Sequence, residues 1–294
     1  MKVKLPPFVK FLIKLAFMAA ALWYVFSRLD IREVLDTMAS ANLLYLVGAL
    51  LALVLSKVVS AIRLNRYLGS IEIFISEIDH MKLYLLGMYY NLFLPGGIGG
   101  DGYKIYLLNK QYNVKLKRIF WAVMVDRVSG VVALFCIAVV LFFFMPDMGG
   151  YKAYTWVLLP LAIIVSFLAI RHFFRYLLPV FWSTYFLSLM VQLLQVLAAL
   201  LILLALKGTG NSVSYLFVFL ISSLVAVLPI TIGGIGSREL TFMLGAQWLG
   251  LDPALSIALS LLFYLLNAFM SFWGIVYSLG PGLRLEEGLR WLKP

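Results

Sequence analysis

The stretch Leu94-Pro95-Gly96-Gly97-Ile98-Gly99-Gly100-Asp101 interrupts an otherwise apolar run, and Leu228-Pro229 followed by Gly233-Gly234-Ile235-Gly236-Ser237-Arg238-Glu239 interrupts another. Proline removes a backbone donor and glycine weakens a helix interior, so neither run can be one continuous helix. A broken backbone at membrane depth survives only where it is buried in protein or lines a wet cavity. The question is therefore whether these runs lie in a membrane, and how they enter it.

The composition answers the first part. Of 294 residues, 64% are hydrophobic and 13% charged, and the mean hydropathy is +1.01. A soluble domain is about half apolar and a quarter charged. This chain has too little polar surface to cover a globule in water, so the bilayer is its main solvent. Six segments are long enough to cross: about 8–27, 43–62, 119–145, 155–171, 182–206 and 254–279. The two broken runs, about 81–112 and 214–250, are set apart from these.

The net charge of +11 belongs to topology and lipid contact rather than to nucleic acid, because the basic residues flank apolar spans. Lys2, Lys4, Lys10 and Lys14 lie at the N-terminus, and Arg284, Arg290 and Lys293 in the tail. Arg63, Arg66 and Lys82 fall in the 63–82 loop, Lys104, Lys110, Lys115, Lys117 and Arg118 around the first break, and Arg171 and Arg175 after the fourth span. The other side holds Arg28, Arg32, Lys152 and Lys207. Positive-inside bias then puts both termini in the cytoplasm, in a bacterial or archaeal cytoplasmic membrane. The N-terminal apolar run reads as a span rather than a cleaved signal.

That assignment makes each broken run return to the side it entered. The first enters from the cytoplasm and the second from outside. The chain reads as one all-α membrane domain, 1–294, with six transmembrane helices and two oppositely directed re-entrant helical hairpins. The order span, span, hairpin, span occurs twice, as an inverted repeat over about 8–145 and 155–280. Broken segments at matching places in inverted halves mark a transporter's binding site.

Several chemistries are set aside. Gly97 to Gly102 satisfies G-x-G-x-x-G, but it lies between apolar helical stretches and not in a βαβ unit. No Walker A, G-x-S-x-G or H-E-x-x-H pattern occurs. Cys136 alone makes neither an internal disulfide nor a metal site, and His80 and His172 read as loop residues solvated at the interface. No cofactor, metal or catalytic residue is expected.

Each break leaves a helix N-terminus with free N–H groups, which favours an anion. Asp101 and Ser237 stand where an N-cap would stand. Gly97, Gly99, Gly100, Gly233, Gly234 and Gly236 supply the open backbone. Asp126, Arg127, Arg238 and Glu239 fall at membrane depth, where a charge costs about 2.5–3.5 kcal/mol or more. They need partners or a function. Arg127 and Arg238 suit phosphate, since a guanidinium donates bidentately. Asp101, Asp126 and Glu239 would orient them or couple to protons. Asn91 can cap or touch ligand. Asn267, Gln192 and Gln195 read as interhelical hydrogen bonders, and Lys57 as a snorkelling side chain.

The string from Asn91 through Asp101, then Asp126-Arg127, then Pro229 to Glu239, resembles the flippase-like membrane region of lysylphosphatidylglycerol synthases. The resemblance covers nearly the whole chain. It implies translocation of lipids or lipid-linked precursors between leaflets, with members tied to glycolipid, polyprenyl-linked sugar and hopanoid pathways. The soluble synthase domain has no counterpart in these residues, so the expectation is a transporter rather than an enzyme. Its partners would be lipids with anionic or zwitterionic headgroups, together with a lipid-modifying enzyme. The alternatives are an intramembrane lipid-modifying enzyme and a non-transporting scaffold for one.

Overall fold

The computed structural model describes residues 7–93, 99–112, 114–145, 152, 155–208, 210–228 and 234–279. Every regular element among them is helical. The order is α1 (Pro7–Phe26), α2 (Ile31–Ala39), α3 (Leu43–Gly69), α4 (Glu77–Phe93), α5 (Gly99–Gln111), α6 (Leu116–Phe144) and α7 (Thr155–Phe173). A 3-10 turn, Arg175–Val180, leads into α8 (Phe181–Ala205). Then come α9 (Ser212–Val227), α10 (Ser237–Leu249), α11 (Pro253–Phe272) and the short α12 (Ile275–Leu279).

Five helical segments are long and apolar enough to cross a membrane: α3, α6, α7, the 175–205 stretch containing α8, and α11 with its extension to Ser278. A sixth arises if α1 and α2, bent by 84°, count as one span. This is a multi-pass membrane protein. Large apolar side chains such as Trp23, Leu43, Leu44, Trp156 and Phe186 point outward, as lipid-facing residues do. Local capping sets several boundaries. Asp30 accepts from the Arg32 N–H at 2.8 Å to start α2, Asn42 from the Leu44 N–H at 2.9 Å to start α3, and Asp252 from the Leu255 N–H at 3.0 Å to start α11, with Pro253 at its first turn.

α3 is longer than its apolar run suggests. It continues past 62 to Gly69, so Arg63 and Arg66 are helical rather than in a loop, and Arg63 is buried. α3 and α8 form the most extensive helix pair. The Asn42 N–H donates to the Ala205 carbonyl at 2.9 Å, tying the start of one to the end of the other.

Both broken runs fold as antiparallel helix pairs, α4 with α5 and α9 with α10. In the first, α5 approaches α4 so closely that a Cβ on Gly100 would strike the Gly87 carbonyl. In the second, a Cβ on Gly245 would lie 2.7 Å from Val218. Two apolar cores follow. One gathers α9, α10 and α11 with parts of α3, α6 and α8, including Leu53, Leu203, Phe219 and Phe242. The other gathers α4 and α5 with the lower part of α3, the start of α6 and Phe181, including Tyr67, Leu68, Leu83 and Leu108. Each core thus encloses one helix pair.

Candidate functional site

Between the two helix pairs lies a cavity of about 320 Å³. α4 contributes Tyr84, Met88, Asn91 and Leu92, and α6 contributes Arg127. The second pair contributes Ala226, Val227, Leu228, Gly234 and Arg238, α11 contributes Tyr264, Asn267, Ala268 and Ser271, and α3 contributes Lys57. The volume is that of a small-ligand site. Three of these side chains are cationic and none is a carboxylate.

The first break is held by local bonds. Asn91 Oδ1 accepts from the Gly100 N–H at 2.9 Å, so the end of α4 caps the start of α5. Asp101 is not an N-cap. It lies in the first turn of α5, buried, and accepts from Lys104 Nζ at 3.1 Å and from Arg127 Nε. Lys104 also stands over the Tyr84 ring, 4.5 Å from its centroid. Gly99 lies half-buried at the start of α5, and Gly100 is buried against Gly87.

The second break is held in a different way. Gly236 is the N-cap of α10, with φ at +83°, and a Cβ there would press on the Met18 backbone of α1. Both conditions select glycine. Its N–H donates to Glu239 Oε2 at 2.7 Å, while Glu239 Oε1 accepts from Ser260 Oγ of α11 at 2.9 Å. Ser237 is one residue past the cap, and its hydroxyl donates to the Gly234 carbonyl at 2.9 Å. The expected free helix ends are therefore partly taken: the Gly100 N–H by Asn91 and the Gly236 N–H by Glu239. Cationic side chains, rather than bare backbone, make the cavity attractive to anions.

Arg238 is the most telling of them. One terminal nitrogen donates to Ser223 Oγ at 2.8 Å, and the guanidinium sits 4.9 Å from the Phe263 ring centroid and 5.9 Å from that of Phe219. Its buried Nε has no hydrogen-bond partner, and no carboxylate pairs with it among the described residues. Lys57 likewise makes no hydrogen bond or ion pair among the described residues, and it lines the cavity instead of snorkelling to an edge.

The remaining expected residues separate. Asp126 turns away from the cavity: its Oδ1 accepts from Arg63 Nε at 2.7 Å, and Arg63 also donates to Ser188 Oγ at 3.0 Å. This buried group ties α3, α6 and α8 together, and Gly130 leaves room for it, since a Cβ there would lie 3.3 Å from the guanidinium. Asn267 lines the cavity, but its amide donates to the Phe263 carbonyl of its own helix at 2.8 Å and not to another helix. Gln192 does bridge helices, to the Gly130 carbonyl at 3.1 Å. Gly97 and Gly233 lie outside the described residues.

His80 is not a solvated loop residue; it is fully buried near the start of α4. Neither ring nitrogen makes a hydrogen bond, although the Ala61 backbone lies beside the ring. Cys136 is buried and receives the Tyr185 hydroxyl at 3.6 Å. Among the described residues no group of three or more His, Cys, Asp or Glu side chains is arranged to hold a metal ion.

Sequence reasoning misplaced Lys57, read as snorkelling, and Arg63, read as a loop residue. A signal for Arg63 was present: Ser56, Ser60 and Arg63 recur at helical spacing on one face, all three buried.

No curated protein sequence matches the chain significantly. A family does match, over nearly the whole length: the model described as "Lysylphosphatidylglycerol synthase TM region" covers residues 11–182 and 171–274. An all-helical chain with five or six candidate spans, matched in this way, belongs to the lysylphosphatidylglycerol synthase transmembrane-region family, membrane proteins linked to lipid metabolism or flipping.

Proposed function

We propose that this protein moves a lipid or lipid-linked precursor between leaflets, holding an anionic headgroup in the cavity between its two helix pairs while the acyl chains stay in lipid. The observation that carries this reading is the lining itself. Lys57, Arg127 and Arg238 converge on one cavity, and no carboxylate lines it. Arg127 is paired with Asp101, but Lys57 and Arg238 have no carboxylate partner among the described residues, and cations at membrane depth without counter-charge are costly unless a ligand or water compensates them. The same groups replace the hydration that a headgroup loses on leaving water, itself a cost of several kcal/mol.

In this reading the two pairs are re-entrant hairpins of opposite sense, both termini are cytoplasmic, and the halves are inverted repeats. The helix neighbours support the repeat. Exchanging α3 with α8, α4 with α9, α5 with α10 and α6 with α11 converts most packed pairs into other packed pairs: α3–α4 into α8–α9, α3–α6 into α8–α11, α5–α6 into α10–α11 and α4–α11 into α9–α6. The first helix of each half departs from the pattern, α1 packing on α10 and α7 on α6. Rocking of one half against the other around a fixed site would then give access to each leaflet in turn. The chain acts as a transporter in this scheme, beside a separate lipid-modifying enzyme.

The test is reconstitution of the pure chain in liposomes with labelled lipids. Wild type should accelerate leaflet exchange, and Arg238→Ala and Arg127→Ala, once shown to fold, should slow it. Wild-type liposomes that exchange no phospholipid and no polyprenyl-linked lipid would sink the proposal. Cysteines placed at Lys110 and at Lys207 should label from opposite sides, with Lys110 on the cytoplasmic side.

A further inference from the structure

The cavity's charge can be counted. Four cations cluster around it: Lys57, Arg127 and Arg238 in its lining, and Lys104, which shares Asp101 with Arg127. Two carboxylates accompany them, Asp101 and Glu239. The set is left with an excess of two positive charges. The Arg63–Asp126 pair and the Lys82–Asp79 pair are each balanced and stand apart from it. The excess falls on Lys57 and Arg238, the two cations with no carboxylate partner among the described residues. Arg127 already has Asp101.

A bilayer-embedded cavity favours a guest that brings its charge near zero, because each uncompensated ion there retains a desolvation cost. A phosphodiester headgroup brings one negative charge and a zwitterionic one brings none. A phosphate monoester or a diphosphate brings two.

From this count we infer that the site selects doubly charged phosphorus headgroups, a phosphate monoester or a diphosphate, over phosphodiester and zwitterionic lipids, and that Lys57 is the residue that sets the preference. The inference rests on the cavity being the headgroup site proposed above. Arg238 holds the headgroup in either case, being fixed by Ser223 and the Phe263 ring. Lys57 comes from α3, outside both helix pairs, and supplies the second unmatched charge.

The experiment measures binding in detergent micelles at pH 8, using dioleoyl phosphatidic acid and dioleoyl phosphatidylmethanol. These lipids share both chains and differ by one methyl ester, hence by one charge. Wild type should bind the monoester at least about tenfold more tightly, the scale of one partly desolvated ion pair. Lys57→Met, confirmed folded by its circular-dichroism melt, should reduce that preference to about twofold or less, and Lys57→Arg should restore it. Equal affinities in wild type, or an unchanged preference in folded Lys57→Met, would overturn the inference. Tight binding of inorganic pyrophosphate with no binding of either lipid would overturn the assignment to a lipid. Failure of this inference and failure of transport are separable. Equal affinities with rapid leaflet exchange remove the charge rule alone, whereas a charge preference in micelles without exchange in liposomes removes transport alone.

Discussion

Replacing Asp126 by leucine should destabilise the protein severely, and replacing Arg63 at the same time should undo most of the damage. The two side chains are 7% and 11% exposed and meet at 2.7 Å, with Ser188 as the remaining partner of the arginine. Removing one member leaves the other as a buried, unpaired ion, at a cost of about 3–5 kcal/mol in soluble proteins. In a membrane protein the denatured chain also finds polar partners, which trims the difference, so about 2–4 kcal/mol is expected for Asp126→Leu or Arg63→Met alone. Replacing both by apolar residues removes the charge and its desolvation together, so the double variant should return to within about 1–2 kcal/mol of wild type. Unfolding in mixed micelles titrated with sodium dodecyl sulfate, followed by circular dichroism, gives the three differences. Additivity within about 0.5 kcal/mol would refute the reasoning, since it would mean that the two residues do not act as a pair. The cycle also bears on transport. If Asp126 only holds α3, α6 and α8 together, the folded double variant should exchange lipid at the wild-type rate; if Asp126 carries a proton, exchange should fail.

Gly100→Ala should loosen or unfold the first helix pair, because its Cβ would enter the Gly87 carbonyl; Gly102→Ala, which meets nothing within 4 Å, should be neutral or stabilising by up to about 1 kcal/mol, and limited proteolysis tells them apart. Glu239→Ala should cost about 1–3 kcal/mol by leaving the Gly236 N–H and the Ser260 hydroxyl without their acceptor, whereas Glu239→Gln, which keeps an acceptor oxygen, should cost less in the same unfolding assay. Burial, with the nearby charge of Lys104 acting in the same direction, pushes the His80 imidazole down to about 3. The folded protein therefore holds a neutral ring that the unfolded chain protonates near its ordinary value of about 6.5. The stability is complete above that value and is lost as pH falls toward 3. Melting temperatures should drop between pH 7 and pH 5 in wild type and fall less in His80→Phe.

The helices were legible because a long apolar run can do little else in a bilayer, and the two interrupted runs because glycine and proline forbid a straight span. Helix ends were less legible. An apolar run stops being recognisable at its first charge, yet α3 continues through Arg63 because Asp126 and Ser188 wait for that charge on neighbouring helices. Lys57 was misread for a similar reason: a lysine near a span's end has water within reach by default, and only the fold reveals that a cavity is nearer. Asn91 and Glu239 illustrate another limit. Residue type alone does not distinguish an amide or carboxylate that meets a ligand from one that takes a backbone N–H, as Asn91 does across the first break and Glu239 does at the start of its own helix. His80 looked wet from its polar neighbours and is dry because α4 turns it inward.

Both halves carry an arginine directly beside an acid, Asp126-Arg127 and Arg238-Glu239. Adjacent residues on a helix point about 100° apart and do not pair with each other. In each case the arginine lines the cavity while the acid is spent on scaffolding, Asp126 on Arg63 and Glu239 on Gly236 and Ser260. The sign of the cavity's charge is thus written in helical phase rather than in composition. A one-residue slip of α6 or α10, in the sense that carries the acid to the arginine's position, would turn the acid toward the cavity and take the arginine out of its lining, leaving the amino-acid content unchanged while reversing what the cavity attracts.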